Sequence, residues 1–74
     1  MRESSRTEYD VRTYDKYGDA IDVECYDSLA EAELYYNQRD VAGEVVGVEL
    51  ERHTTYFHPR ESVYKSIRRK GCLA

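Results

Sequence analysis

The sequence predicts an α+β domain: a small antiparallel sheet in ββαβ order, one helix packed on one face, and a short helix at the C-terminus. Three observations predict it. Residues alternate apolar and polar in three separate segments, the mark of half-buried strands. Ser28 and Glu31 have capping-box spacing ahead of Leu29, Ala32 and Tyr36 on one helical stripe. Pro59, which suits a first helical turn, precedes Val63 and Ile67 at i,i+4. With 74 residues the chain supplies one core at most. Its hydrophobic share is 41%, but eight of those residues are tyrosine, so the aliphatic supply is thin.

Residues 1–7 read as a flexible tail, 8–58 as the ββαβ domain, and 59–74 as a basic C-terminal helix and tail. From Glu8 to Tyr14, Tyr9, Val11 and Thr13 share one side of a strand while Asp10, Arg12 and Tyr14 share the other. Asp15 to Asp19 contains Gly18, which can take the positive φ of a tight reversal, so a hairpin is expected. The second strand runs from Ala20 to Tyr26, with Ile21, Val23 and Cys25 expected inward and Asp22, Glu24 and Tyr26 outward. The helix is expected from Ser28 to Gln38 or Arg39, with Tyr35 flanking its apolar stripe and Glu33 intruding on it. Leu34 lies off the stripe and reads either as part of a wide buried face or as an exposed contact.

Gly43 is the pivot of a loop over residues 40–44. The third strand begins near Val45, placing Val46, Val48 and Leu50 inward and Val45, Gly47, Glu49 and Glu51 outward. Strand propensity continues to Phe57 without strict alternation, which fits a bulge or a short fourth strand. Pro59 ends it. Arg60 to Lys70 then reads as the short helix, with Gly71 just beyond.

Residues 1–59 carry six Lys/Arg and fourteen Asp/Glu, a charge of −8, whereas residues 60–74 carry +4. An acidic body disfavours nonspecific nucleic-acid binding, which needs cations along a surface. It favours a basic partner. No apolar run spans a membrane or serves as a signal peptide, so a cytoplasmic, non-membrane protein is expected. Cys25 and Cys72 are too few for a disulfide framework and have no metal spacing. Free thiols are expected.

His53 and His58, five apart on a strand, point to opposite faces, and Gly18, Gly43, Gly47 and Gly71 form no phosphate loop. No cofactor or metal is expected, and carboxylates on so thin a domain lack the cleft that acid catalysis requires. The chain is therefore expected to be non-enzymatic. The sheet face opposite the helix would gather Asp10, Tyr14, Asp22, Glu24, Tyr26, Glu49 and Glu51, with only Arg12 to offset them. Carboxylates steer a basic partner, and tyrosine supplies contact area, so this face is the expected partner-binding site. Solvation and Arg–carboxylate pairing account for the same residues equally well. Lys65, Arg68, Arg69 and Lys70 on the C-terminal helix have three readings: docking on the acidic body, contact with an acidic patch of another protein, or contact with nucleic acid.

Tyr26-Asp27-Ser28-Leu29-Ala30-Glu31-Ala32-Glu33-Leu34 leading into the helix, and Gly43-Glu44-Val45-Val46-Gly47-Val48-Glu49 following it, give a layout that resembles small phage-encoded proteins. It is similar over residues 9–52 to the T7-type inhibitors of host RNA polymerase, and in size, acidity and composition to anti-CRISPR proteins. The inhibitors use arginines on their last strand, where this chain has Glu49 and Glu51 and only Arg52 to stand in. The resemblance fits a small phage-type inhibitor; the −8 body, the clustered carboxylates and the lack of a catalytic constellation are what point to binding a basic surface of a host nucleic-acid-handling or defence protein through the acidic, Tyr-bearing sheet face, with DNA mimicry a specific version. The alternatives are a nucleic-acid-binding module acting through the basic C-terminal helix, and a self-associating protein, monomer or homodimer, that pairs edge strands through the Val45–Phe57 segment.

Overall fold

The computed structural model describes residues 4–57 and 59–71. β1 (Ser5–Tyr14), β2 (Ala20–Tyr26), α1 (Leu29–Gln38), β3 (Gly47–Phe57) and β4 (Arg60–Gly71) follow one another. The strands form one antiparallel sheet in spatial order β2-β1-β3-β4, so β1 and β3 are central and β2 and β4 are the edges.

The expected ββαβ order with a C-terminal helix is corrected to ββαββ. Residues 60–71 pair with β3 from Phe57↔Arg60 to Gly47↔Gly71, with Pro59 in the turn. An isolated helix of that length is marginal in water, whereas a long neighbouring strand satisfies the backbone of its partner along its whole length. The register shifts between Leu50 and Glu51, where Ile67 is the extra residue of β4. That bulge breaks the alternation of β4, and the i,i+4 spacing of Val63 and Ile67 that suits a helix is one that a strand face gives as well. The bulge expected in the 53–57 segment thus lies in β4, and β3 runs unbroken to Phe57.

The flexible tail expected to residue 7 is also corrected, since β1 begins at Ser5 and the Phe57 amide donates to the Ser4 carbonyl at 3.3 Å. β3 begins at Gly47, and Val45, expected outward, packs against the core. His58 and Cys72 lie outside the described residues.

The hairpin forms as its residues dictate. Asp15 Oδ1 accepts from the Tyr17 and Asp19 amides at 2.9 and 3.0 Å, while Gly18 takes φ +84°. Ser28 caps α1, its hydroxyl accepting from the Glu31 amide at 3.4 Å. At the other end the Lys70 ammonium donates to the Tyr36 carbonyl at 2.7 Å and lies 4.5 Å from the centre of the Tyr36 ring. A cation there complements the negative end of the helix dipole.

The core is small: Val11, Ala32, Tyr36, Val48 and Leu50 are buried, with Tyr9, Tyr26, Tyr35 and Val45 packed around them. Leu34 is 61% exposed and belongs to no core. The helix covers β1, β2 and β3 only at the end where β2 lies. Cross-strand register then fixes the faces. Val11 pairs with Glu24 and Leu50, and Thr13 with Asp22 and Val48, so Asp22, Glu24 and Tyr26 share the helix-covered face. Val23 and Cys25, expected inward, lie on the open face beside Arg12 and Asp10, and Ile21, also expected inward, is the unpaired residue where the β1–β2 register shifts. Ile21 and Val23 are 47% and 41% exposed. The Tyr35 hydroxyl donates to Asp22 Oδ2 at 3.0 Å and packs its ring on Tyr26, contacts that hold β2 in this orientation.

Candidate functional site

The seven residues expected to form one acidic face are divided by the sheet. Asp10, Tyr14, Glu49 and Glu51 lie on the open face; Asp22, Glu24 and Tyr26 lie on the helix side. The open-face carboxylates are also neutralised internally. Arg12 Nε donates to Glu51 Oε1 at 2.9 Å, and its Nη2 lies 3.7 Å from Asp10 Oδ2. Arg69 lies 3.5 Å from Glu49, which accepts from the Tyr14 hydroxyl at 3.3 Å. Burial and the negative charge of Glu49 raise the Tyr14 phenol above its ordinary value.

Asp10 is only 4% exposed, and its Oδ1 has no hydrogen-bond partner. Its β2 neighbour Cys25 is a free thiol pushed up to about 11, first by desolvation of the sulfur and then by hydrogen bonding to, and repulsion from, the Asp10 carboxylate. A thiol held that high is protonated at neutral pH and a poor nucleophile.

The basic residues expected on a helix sit on β4 instead, and most of them dock on the body. Arg68 and Lys70 take the helix side, where Arg68 lies 3.9 Å from Glu33; Arg69 takes the open side. Lys65 is different. It pairs in register with Arg52 on the helix side, and neither has an ion pair among the described residues.

These two cations belong to a groove of about 420 Å³ that the sequence alone does not reveal. Its lining includes Ser5, Thr7 and Tyr9 of β1, Arg52, Thr54 and Tyr56 of β3, and Val63 and Lys65 of β4. Each of these positions follows from the pairing Tyr9↔Arg52↔Lys65, Thr7↔Thr54↔Val63 and Ser5↔Tyr56. The groove exists because β1, β3 and β4 continue past the end of β2, beyond the reach of a ten-residue helix. Its floor therefore offers two cations, two tyrosines, a valine and three hydroxyls, Thr7 and Thr54 being 3.5 Å apart. Such a surface binds anionic, extended ligands by charge, hydroxyl hydrogen bonds and ring contact. On the reverse side of the same three strands His53 stacks on Tyr64 with ring centres 4.2 Å apart.

No family model, curated protein or solved structure matches this chain. Among the described residues no cluster of three or more His, Cys, Asp or Glu is arranged to hold a metal ion. Among them, too, no helix is long and apolar enough to cross a membrane.

Proposed function

We propose that this protein is a non-enzymatic interaction module that grips an acidic, extended segment of a partner protein in the groove over β1, β3 and β4. One observation carries the reading: Arg52 and Lys65 stand side by side, without ion pairs among the described residues, in one row with Tyr9 and on the same strand face as Tyr56, where the helix leaves the sheet bare. Arg6, Arg12, Arg39, Arg68 and Arg69 all have carboxylates within 4.0 Å, whereas Arg52 and Lys65 have none among the described residues and are paired in register on neighbouring strands. The reading reverses the expected polarity of the partner. Carboxylates already matched by Arg12 and Arg69 have little field left to attract a basic surface, whereas two desolvatable cations beside tyrosine do attract an acidic one.

The host-takeover resemblance is compatible with this reading, since a blocking protein needs only to occupy its target. Nucleic acid is disfavoured by the net charge of −4, which repels a polyanion beyond the groove.

The test is fluorescence anisotropy with a labelled peptide of alternating Glu and Val, its Lys–Val counterpart, and a single-stranded oligothymidine. The Glu peptide is expected to bind in a salt-sensitive manner, about tenfold more weakly to Arg52→Glu or Lys65→Glu. Equal binding of the Lys peptide, or no effect of either substitution, overturns the reading. Tighter binding of the oligonucleotide transfers the site to nucleic acid.

A further inference from the structure

The two edges of the sheet carry opposite charge on the same face. On the helix side, β2 presents Asp22 and Glu24, whereas β4 presents Lys65, Arg68 and Lys70. Unpaired strand edges are templates for strand addition, and charge on an edge is the usual way of blocking it. Here the charge blocks one kind of addition only. Two-fold antiparallel pairing of β2 with itself about Val23 sets Asp22 against Glu24 of the second copy. Pairing β4 with itself about Arg69 sets Arg68 against Lys70 of the second copy. Like charges directly opposite across strands are unfavourable, so both isologous dimers are opposed.

We propose that this chain self-associates head to tail, the β2 edge of one copy adding antiparallel to the β4 edge of the next. Strand direction permits it: each neighbouring pair is antiparallel, so β4 runs opposite to β2, and a second copy placed in the plane of the sheet continues the antiparallel order. Register specifies it. Glu24, Val11, Leu50 and Arg68 form one cross-strand row, and Asp22, Thr13, Val48 and Lys70 form the next. Extending the rows into the second copy sets its Glu24 against Arg68 and its Asp22 against Lys70. On the open side the same rows bring its exposed Val23 to Arg69 and its Cys25 to Ser66.

Helices fit as well. Four strands at about 4.8 Å place successive helices roughly 19 Å apart on the shared face, more than the roughly 10 Å a helix needs. The pairing also corrects the strand through which self-association was expected: the 45–57 segment contains β3 (Gly47–Phe57), which is paired on both sides and closed to addition. This inference is independent of the groove, which contains neither Glu24 nor Arg68.

Reciprocal charge reversal tests it. Glu24 and Arg68 are both exposed, so Glu24→Lys and Arg68→Glu should retain the wild-type circular dichroism. By sedimentation velocity at low ionic strength, the wild-type chain is expected to form species larger than a monomer that dissociate as salt rises. Each variant alone should associate about tenfold more weakly, because residue 24 then faces a like charge at residue 68. An equimolar mixture should recover association, since every contact in an alternating array is again between opposite charges. The neutral variants Glu24→Gln and Arg68→Gln should each fall between. A monomeric wild-type chain, association unchanged by either reversal, or a mixture that stays dissociated would each overturn the proposal.

Discussion

Asp10 is a carboxylate in a central strand for which the fold provides too little. It is 4% exposed, its Oδ1 has no hydrogen-bond partner, and its closest cation, Arg12, is 3.7 Å away, outside direct hydrogen-bonding range. Arg12 is committed to Glu51 at 2.9 Å. A buried polar group left unsatisfied costs about 1–3 kcal/mol. Asp10→Val removes that cost, retains strand propensity and leaves the Arg12–Glu51 bond in place; it gives up only the weak thiol bond from Cys25 and the Arg12 contact at 3.7 Å, so a net gain of about 1 kcal/mol is expected. In a domain of this size that raises the melting temperature by about 4–8 °C. Urea unfolding followed by circular dichroism measures the midpoint, and alkylation of Cys25 in a Cys72→Ser background gives a second readout. Without the Asp10 carboxylate the thiol should fall below about 11 yet remain above its ordinary 9.0, because burial persists, and alkylation near pH 9 should accelerate. A lower urea midpoint for Asp10→Val, with unchanged alkylation, would refute the reasoning and show that the carboxylate is properly partnered.

Gly71→Ala is expected to destabilise by about 2 kcal/mol or more in the same urea assay, because Gly71 has φ +85° and a Cβ there would collide with the Val46 carbonyl oxygen. Gly18→Ala, equally left-handed but in open space, should cost about 1 kcal/mol and serves as the comparison. Stability should also decline in alkali. The folded chain raises the Cys25 thiol and the Tyr14, Tyr26, Tyr35 and Tyr36 phenols, with burial the first cause in each, so it holds these protons more tightly than the unfolded chain does. Their contribution is intact below the unfolded values of 9.0 and 10.0 and is lost as pH rises through the folded ones, so the urea midpoint should fall above about pH 9. A midpoint constant to about pH 11 would contradict it.

Local chemistry made much of the chain legible. The Asp15–Gly18 reversal, the Ser28 cap and the alternation of β1 depend on residues close in sequence, and they appear where their residues imply. The orientation of β2 does not depend on its own alternation, because a strand with two usable faces is oriented by its partner's register. Tyr35 bonding to Asp22 decided which face turned to the helix, and that bond spans thirteen residues of chain. β4 was obscured differently. The four-residue spacing of Val63 and Ile67 suits a strand face and a helix stripe alike, the bulge at Ile67 interrupts the alternation that marks a strand, and only pairing with β3 distinguishes them. The groove follows from a mismatch in length between β2 and β3, a property of no single segment. In the sequence Arg52 is a single cation among the carboxylates Glu49 and Glu51, and its pairing with Lys65 depends on the β3–β4 hairpin.

The ribbon of β1, β3 and β4 that projects beyond the helix is held by its hydrogen-bond ladders more than by a buried core. Evolution can therefore treat it as adjustable. Inserting two residues in each strand lengthens it by about 7 Å and preserves which side every residue faces. Substitutions there change the chemistry of the surface while the cluster around Leu50 continues to specify the fold. A chain of 74 residues thus separates the part whose packing specifies the fold from the part whose surface can vary without disturbing that packing.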